Sequence, residues 1–203
     1  MFAVVASTTD PDHPLAALTV GDRPDPRPAD DWTTVRVRAA ALNHHDLWSL
    51  RGVGLAAEQC PMILGCDASG VDAAGNEGIV HAVIGDTAAG GGDETLDPKR
   101  TLLSEKYDGA LAEYVAVPKS NLVAKPAQLS FTEAACLPTA YLTAYRMLTT
   151  KGRVAAGDAV LVQGAGGGVA TAAILLAKAL GARVYATSRD PRRRDAAEAL
   201  GAT

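Results

Sequence analysis

The chain has 203 residues, of which 48% are hydrophobic and 21% charged, and its formal net charge is −4 at pH 7. This balance is typical of a folded globular protein that can bury a core, and it argues against disorder. Because a net negative charge provides no broad basic surface, nucleic acid is not an expected partner.

Two further features bear on location. The N-terminus lacks the basic start and long apolar run of a signal peptide, and the apolar run at 169–180 is interrupted by Lys178 and too short to span a bilayer. The three cysteines (Cys60, Cys66 and Cys136) are an odd number without CxxC spacing, which indicates reduced thiols rather than a disulfide framework. We therefore expect a soluble, cytoplasmic protein that does not bind membranes.

The first part of the chain is predicted to consist of short strands separated by turn signals. In 33–41, Val35 and Val37 alternate with Arg36 and Arg38, which is the period-two pattern of a half-buried strand. The other predicted strands are 2–7, 18–20, 61–72, 79–84 and 109–117, with a short helical turn at 43–51 and an exposed glycine-rich loop at 87–99. This pattern predicts a β-rich domain.

A capping box marks the start of a helical stretch. Ser130 and Glu133 have the spacing at which each side chain reaches the other residue's backbone N–H. The helical pattern continues to Thr150, with an interruption predicted at Pro138. We place the domain boundary at the start of this stretch. The predicted domains are 1–130 and 131–203.

The segment 158–190 has the order strand, glycine turn, helix, strand and then a charged residue. After an apolar strand at 159–162 come Gly164, Ala165, Gly166, Gly167, Gly168, Val169 and Ala170. A dinucleotide-binding turn needs small residues at the tight turn, at the pyrophosphate and at the helix–strand contact, and Ala165, Gly167 and Ala170 meet these needs. The N-terminus of the helix would then hold the phosphates. An ordinary glycine-rich loop is the alternative, but the ordered context and Gly181 as the helix C-cap favour the dinucleotide site.

The end of the second strand distinguishes between two cofactors. NAD enzymes carry an acidic residue at this position, where it binds the ribose 2′-OH. The chain has Ser188 and Arg189 here, and Arg189 can pair with a 2′-phosphate, whereas Ser188 cannot supply a negative charge. Further positive charge follows at 192–194, although a solvated basic helix start is the alternative. NADPH is therefore favoured over NADH as the cofactor.

Four further motifs carry a resemblance to a known family. They are Ala41-Leu42-Asn43-His44-His45-Asp46-Leu47, Pro61-Met62-Ile63-Leu64-Gly65-Cys66-Asp67-Ala68-Ser69-Gly70, Gly109-Ala110-Leu111-Ala112-Glu113-Tyr114, and Leu137-Pro138-Thr139 with Leu142-Thr143-Ala144-Tyr145. With these motifs the chain resembles the medium-chain dehydrogenase/reductase superfamily, and within it the zinc-independent, quinone-oxidoreductase-like reductases. The resemblance implies a β-rich, GroES-like catalytic domain followed by an α/β Rossmann-type domain with a doubly wound parallel sheet, and an active site in the cleft between them.

The resemblance also bears on zinc. Zinc-dependent relatives hold catalytic zinc with a Cys, a His-Glu pair and a second Cys, and these positions are occupied here by Asn43, Cys66-Asp67 and Thr139. Asn and Thr are poor zinc ligands, and catalytic zinc needs three protein ligands. The four cysteines of the family's structural zinc lobe are also absent, since no Cys lies between Cys66 and Cys136. We therefore expect no metal.

Without a metal, a carbonyl or enone oxygen must be polarised by hydrogen bonds or by a protonated side chain. The resemblance assigns this role to the amide of Asn43 and to His45, which lies where zinc-dependent relatives keep a proton-relay hydroxyl and suits a general acid. It implies that His44 contacts the cofactor pyrophosphate, that Thr139 holds the nicotinamide carboxamide, and that Asp46 supports the loop. The alternatives are structural: surface polar residues for the histidines, a turn former for Asn43 and a helix N-cap for Asp46.

The chain ends at Thr203, one helix after the second strand, whereas a doubly wound sheet needs several more strands. Our first hypothesis is the N-terminal portion of an NADPH-dependent oxidoreductase with an incomplete Rossmann domain. It would transfer hydride to a quinone, enone or carbonyl substrate without zinc, and its full-length form is open to homodimerisation. The alternatives are a zinc-dependent alcohol dehydrogenase and a truncated, non-catalytic GroES-like binding module. The expected partner of the enzyme is a small-molecule substrate.

Overall fold

A computed structural model describes residues 1–203, which form two compact units, Met1–Pro138 and Thr139–Thr203. The first unit is built mainly from β-strands, as predicted, and the second combines two parallel strands with helices. The division after Pro138 lies further along the chain than the boundary predicted after residue 130. No helix has the length and apolar character needed to cross a membrane.

Ten strands and two helices form the first unit. The strands are β1 (Phe2–Ala6), β2 (Leu18–Asp22), β3 (Trp32–Ala41), β4 (Met62–Ile63), β5 (Asp67–Asp72), β6 (Glu77–Val80), β7 (Val83–Ile84), β8 (Thr101–Leu102), β9 (Tyr114–Pro118) and β10 (Leu122–Ala124). The helices are α1 (His44–Leu50) and α2 (Phe131–Ala135), with 3-10 turns at Pro14–Ala17, Ala57–Gln59, Glu94–Leu96 and Lys119–Asn121. A five-stranded antiparallel sheet of order β10-β6-β5-β3-β9 is accompanied by a three-stranded sheet, β2-β1-β4, and by the pair β7-β8.

The alternation predicted for β3 places its valines in the core. Val35 is fully buried, whereas Arg36 and Arg38 are exposed. Val35 packs in one cluster with residues of the neighbouring strands, including Val115 and Ala68. Because β3 pairs with both β5 and β9, it organises the centre of the sheet, and its last residues lead directly into α1.

Two of the predicted strands are each divided into two shorter strands. The segment 61–72 divides at Gly65, whose φ of +94° lies in the left-handed region, so that β4 pairs with β1 while β5 joins the large sheet. A side chain at Gly65 would place its Cβ 2.8 Å from the backbone nitrogen of Leu111. The segment 79–84 is also divided, and its parts lie in β6 and β7, which belong to different sheets.

Helix α2 begins with the predicted capping box. The hydroxyl of Ser130 accepts a hydrogen bond from the backbone nitrogen of Glu133 at 3.2 Å, and the Glu133 carboxylate accepts one from the backbone nitrogen of Ser130 at 2.9 Å. The interruption predicted at Pro138 takes the form of a π-helical segment, Leu137–Tyr141, in which a residue without an N–H is tolerated. The chain then continues through α3 (Leu142–Arg146) and a second π-helical segment, Met147–Lys151.

The second unit contains the predicted strand, turn, helix and strand. Its elements after α3 are β11 (Ala159–Gln163), α4 (Gly168–Ala179), β12 (Arg183–Thr187) and α5 (Pro191–Ala199). β11 and β12 pair in parallel, as a β-α-β crossover requires. The buried core residues of this unit are Leu148, Val162, Ala165, Ile174, Ala177, Val184 and Ala197.

The predicted C-terminal cap of α4 is present. Gly181 has a φ of +80°, and the backbone nitrogen of Ala182 donates to the carbonyl oxygen of Ala177 at 3.0 Å. This is the hydrogen-bond pattern of a Schellman cap. On the face of the sheet away from this core, Leu161 and its cross-strand partner Tyr185 are 67% and 40% exposed.

Candidate functional site

The junction of β3 and α1 brings together Asn43, Cys66 and Asp67, which occupy three of the positions compared with zinc ligands above. Asn43 is the N-cap of α1, and its Nδ2 donates to Oδ2 of Asp67 at 3.0 Å. The same nitrogen lies 3.6 Å from Sγ of Cys66 and 3.4 Å from the carbonyl oxygen of Ala41. Cys66 and Asp67 are buried. The amide hydrogens of Asn43 are therefore directed at groups of the chain itself.

Asp46 fixes the backbone at this junction. Its Oδ2 accepts a hydrogen bond from the backbone nitrogen of Asn43 at 2.8 Å, while Oδ1 is buried without a hydrogen-bond partner. Burial raises the pKa of the Asp46 carboxyl, against the opposing effects of the Asn43 N–H and of the nearby His45. Asp46 is the third residue of α1, so it reaches back to the N-cap rather than serving as the N-cap itself.

His45 is paired with a carboxylate that is distant in the sequence. Its Nε2 lies 3.1 Å from Oε1 of Glu105, and both side chains are largely buried. The other ring nitrogen, Nδ1, is inaccessible to solvent and has no hydrogen-bond partner. The sequence gives no local signal for this pair, because 60 positions separate the two residues.

An apolar pocket of about 520 Å³ opens beside the same helix. Asn43, the exposed His44 and Asp46 form part of its wall. The remaining lining residues are aliphatic: Val4, Leu15, Leu18, Leu42, Leu47, Leu50, Leu64 and Leu111. Residues of the segment 42–50 and of four other segments thus combine into one pocket, which the sequence does not reveal.

The loop predicted at 87–99 is closed by hydrogen bonds to the carboxylate of Asp97. Asp97 is 5% exposed, and its carboxylate accepts hydrogen bonds at 2.8 Å from the backbone nitrogens of both Asp86 and Lys99. These two N–H groups lower the pKa of Asp97. A second contact joins Nε2 of His81 to Oε1 of Glu94 at 3.0 Å.

The glycine turn has the backbone shape that a phosphate cradle needs. Gly164 and Gly166 have φ values of +83° and +113°, and the turn is held by the backbone nitrogen of Ala165, which donates to the carbonyl oxygen of Thr187 at 2.8 Å. Gly167 is the N-cap of α4 and is exposed, with no other atom within 4 Å of a Cβ placed there. The first backbone N–H groups of α4 therefore lie at an open surface, where an anion can accept their hydrogen bonds.

The end of β12 is basic, and its nearest carboxylate is already engaged. Arg189 is exposed directly after β12 and Ser188. Asp190 accepts a hydrogen bond from the backbone nitrogen of Arg192 at 2.9 Å and lies 3.7 Å from Nε of Arg193. The Arg193 side chain also covers the turn, since its Cδ would lie 2.7 Å from a Cβ at Gly166.

The predicted site residues thus fall into two groups. The catalytic candidates Asn43, His45 and Asp46 lie in the first unit with His44. The other cofactor candidates lie in the second unit: Thr139, Gly164, Ala165, Gly166, Gly167, Gly168, Val169, Ser188 and Arg189. Sequence reasoning missed Glu105, which has no local signal, and it treated Arg193 only as part of a basic stretch.

The residues at the zinc-ligand positions do not fit a zinc ion as they are arranged. Asn43 directs N–H hydrogens at the buried atoms of Cys66 and Asp67, and a nitrogen that carries those hydrogens has no lone pair for a metal. No group of three or more His, Cys, Asp or Glu side chains is placed to hold a metal ion.

Comparison with known proteins identifies the class of both units. Residues 29–127 match the family model of the alcohol dehydrogenase GroES-like domain. A solved NAD-dependent alcohol dehydrogenase aligns with a TM-score of 0.88 at 39% identity, over 100% of this chain and 62% of that chain. The quinone oxidoreductase of Thermus thermophilus, described together with its NADPH complex, aligns with a TM-score of 0.76 at 32% identity, over 100% and 58%.

Among curated proteins, the acryloyl-coenzyme A reductase of Sulfurisphaera tokodaii is 34% identical over 184 residues, which cover 84% of this chain and 55% of that protein. The first curated relatives extend beyond the chain, which spans between 6% and 55% of their length. The fold is thus a GroES-like domain followed by part of a Rossmann domain, as predicted. The chain belongs to the medium-chain dehydrogenase/reductase superfamily.

Proposed function

We propose that the chain is part of an NADPH-dependent oxidoreductase that transfers hydride to a small-molecule quinone, enone or carbonyl compound without zinc. The observation that carries this proposal is the open glycine turn at the N-terminus of α4, beside a strand end that presents Arg189. Fold alone does not determine function, so the proposal rests on this site and on the residues of the first unit.

The residues of the second unit fit a dinucleotide. The backbone N–H groups at the start of α4 would hold the pyrophosphate, and Gly167 leaves an open approach, since no other atom lies within 4 Å of a Cβ placed there. Arg189 would pair with the 2′-phosphate, while Asp190 caps α5 and lies beside Arg193. Bound NADPH supplies the hydride. His44 and Thr139 remain predicted cofactor contacts.

The residues of the first unit would supply the proton and the support. His45 would supply the proton that a carbonyl or enone reduction consumes, since histidine is the side chain that most often acts as a general acid. Asn43 and Asp46 hold the junction of β3 and α1 through their contacts with Asp67 and with the backbone of Asn43. A zinc-free reaction is favoured because Asn43 directs its N–H groups at the two remaining ligand positions.

The substrate class is supported by the names of related proteins and by the pocket. One relative is an acryloyl-coenzyme A reductase and another a quinone oxidoreductase. Both names refer to conjugated carbonyl groups, and an apolar pocket beside Asn43 suits the uncharged, conjugated part of such a molecule. A cytoplasmic location remains a prediction from the cysteine pattern; no disulfide joins the three cysteines.

Cofactor binding is tested by the fluorescence of NADPH and NADH titrated with the 203-residue chain. We expect NADPH to bind at least about tenfold more tightly, since an Arg–phosphate pair is a strong, charge-assisted contact. Arg189→Ala should weaken NADPH roughly tenfold and leave NADH unchanged. Arg183→Ala, an exposed arginine at the opposite end of β12, is the matched control and should change neither.

Each alternative has its own outcome in these measurements. Equal affinity for the two cofactors would contradict the assignment of Arg189, and no saturable signal from either would favour a binding module without turnover. Near-stoichiometric zinc in the purified protein would favour the zinc-dependent alcohol dehydrogenase and overturn the argument from Asn43.

A further inference from the structure

The glycine turn and the end of β12 lie side by side. The backbone nitrogens of Gly164 and Ala165 both donate to the carbonyl oxygen of Thr187, at 3.1 and 2.8 Å. Ser188 and Arg189 follow directly, so a dinucleotide held by the first N–H groups of α4 would have its ribose at this strand end. The space above the turn, next to the strand end, is where the 2′-phosphate of NADPH would lie.

The side chain of Arg193 reaches over this turn from α5. The three atoms nearest to a Cβ placed at Gly166 all belong to Arg193, namely Cδ at 2.7 Å and Cγ and Nε at 3.2 Å. Because Gly166 has no side chain, the arginine lies directly against the backbone of the turn. Its Nε, where the guanidinium group begins, thus lies between the turn and Asp190.

Asp190 is the carboxylate that Arg193 meets there, with Oδ2 at 3.7 Å from Nε. Two hydrogen bonds fix the position of Asp190. Its backbone nitrogen donates to Oγ of Ser188 at 3.2 Å, and its Oδ1 accepts a hydrogen bond from the backbone nitrogen of Arg192 at 2.9 Å. A negative charge fixed beside the strand end would oppose the binding of a 2′-phosphate unless a cation cancels it.

The contact between Arg193 and Asp190 contributes little to the stability of the fold. The two side chains are 62% and 49% exposed, and water and salt screen an ion pair at such a surface. Arg194, by contrast, serves the backbone of the strand end, since its Nη1 donates to the carbonyl oxygen of Ser188 at 2.9 Å. Arg193 is therefore better explained by what it offers a ligand above the turn.

We propose that Arg193 is a specificity-determining residue of the cofactor site, which cancels the charge of Asp190 and, together with Arg189, binds the 2′-phosphate of NADPH. This role rests on the proposed function, in which Arg189 pairs with the same phosphate. A guanidinium group has several N–H donors, so Arg193 can keep Nε toward Asp190 while its terminal nitrogens bind phosphate oxygens. NADH has no 2′-phosphate, so Arg193 adds nothing to its binding.

The test is calorimetric titration of the 203-residue chain with adenosine 2′,5′-bisphosphate and with adenosine 5′-monophosphate, which differ only in the 2′-phosphate. We expect Arg193→Ala to weaken binding of the bisphosphate by at least about tenfold, because a charge-assisted contact is lost, and not to weaken binding of the monophosphate. Arg193→Lys should retain part of the affinity for the bisphosphate, since lysine keeps the charge but not the planar array of donors.

A double variant tests the part played by Asp190. In Arg193→Ala this carboxylate has lost the cation that cancels its charge. Replacing it as well, in Arg193→Ala/Asp190→Asn, should therefore recover at least about threefold in affinity for the bisphosphate. Asparagine is also a favourable N-cap, so the start of α5 is preserved. A double variant that binds no better than Arg193→Ala would overturn the assignment of Asp190.

Arg192→Ala is the matched control, because it removes the same charge from the preceding position of α5 and leaves the side chain above Gly166 in place. It should weaken binding of the bisphosphate by less than about twofold. Equal losses in Arg192→Ala and Arg193→Ala would overturn the proposal, since the general charge of the segment would then account for both. Unchanged affinity in Arg193→Ala would overturn it directly.

The failure of this proposal can be distinguished from the failure of the proposed function. If Arg189→Ala weakens binding of the bisphosphate and Arg193→Ala does not, the proposed cofactor site stands without Arg193. If Arg193→Ala has the expected effect but the purified chain contains near-stoichiometric zinc, the reaction without zinc fails while the assignment of Arg193 stands. An unmodified chain that binds neither adenosine compound would overturn both.

Discussion

The burial of the Asp46 carboxylate lowers the stability of the folded chain at neutral pH. The residue is 7% exposed, and Oδ1 of its carboxyl has no hydrogen-bond partner while Oδ2 accepts the Asn43 N–H. Burial disfavours the charged form and raises the pKa. The folded state therefore binds a proton more tightly than the unfolded chain does, and stability falls as the pH rises through the folded-state pKa.

The substitution Asp46→Asn removes the pH-dependent contribution of this carboxyl to the free energy of unfolding. The amide oxygen can still accept the Asn43 N–H, so the start of α1 remains capped. We expect the variant to gain free energy of unfolding relative to the unmodified chain at about pH 7, and to lose this advantage at about pH 3. Urea unfolding at both pH values measures the difference.

Asp195→Asn is the control for the loss of one surface carboxylate, because Asp195 is exposed on α5. The difference in unfolding free energy between Asp195→Asn and the unmodified chain should be nearly the same at both pH values. An Asp46→Asn protein that is less stable at neutral pH than in acid, relative to the unmodified chain, would contradict burial as the dominant effect on this carboxyl.

The sequence predicted part of this residue-scale picture. Asn43 and Asp46 are three positions apart, so their contact is local and the sequence could place both on one turn. Glu105 and Asp67 reach the same region only because segments 60 and 24 positions away fold back onto it, and no periodicity encodes that meeting. The sequence predicts that the Asn43 amide donates a hydrogen bond to the substrate oxygen. Whether its hydrogens are free for this depends on the position of Asp67, which accepts one of them in the structure.

At the level of elements, α2 depends on its capping box. The helix has only five residues, so few internal hydrogen bonds support it. Hydrogen bonds from the hydroxyl and backbone N–H of Ser130 lower the pKa of Glu133 below its usual 4.5. The contribution of this carboxylate is thus present above pH 4.5 and is lost as the pH falls through the lowered value.

Ser130→Ala should lower the free energy of unfolding by about 1 kcal/mol near neutral pH, because the N-cap acceptor for the Glu133 N–H is lost. The measurement is urea unfolding monitored by circular dichroism. Thr132→Ala is the control, since Thr132 is exposed on the same helix and alanine favours a helix. Equal stability of both variants would mean that packing alone positions α2.

The capping box was predictable because both partners lie within one turn. The division of 61–72 was not, because it depends on the positive φ of Gly65 and on its close approach to Leu111. A glycine within an apolar run is compatible with a continuous strand, and only the neighbouring segment makes the break necessary. Element type was thus encoded locally, while element ends were decided by tertiary contacts.

For the whole molecule, the alternation in β3 and the order of the glycine turn were sufficient to predict a β-rich unit followed by a parallel α/β unit. The sequence could not predict the apolar pocket, since its walls come from segments as distant as Val4 and Leu111. It also could not predict the closure of the loop at 87–99, which depends on where Asp97 lies relative to two backbone nitrogens.

The exposed face of the parallel sheet affects how whole molecules behave toward one another. Leu161 and Tyr185 are neighbours on β11 and β12 and expose an apolar surface next to strand edges, which favours self-association. Leu161→Thr keeps a strand-forming residue but reduces this surface. We expect it to raise the concentration at which the chain self-associates by roughly threefold or more, measured by sedimentation velocity.

Leu96→Thr is the matched control, because Leu96 is 56% exposed but lies in a 3-10 turn rather than on a strand. It should leave self-association unchanged. An equal effect of both substitutions would indicate general surface hydrophobicity rather than the sheet face as the cause.

The closure of the loop at 87–99 by Asp97 has a consequence for the conditions under which this part of the molecule keeps its shape. The two ends of the loop are joined by one carboxylate and two backbone N–H groups, so cohesion depends on a negative charge that protonation removes. The lowered pKa of Asp97 extends that cohesion into moderate acid. We therefore expect strong acid to weaken the hydrogen bonds of Asp97 that close the loop, whereas reducing agents should have no effect on them.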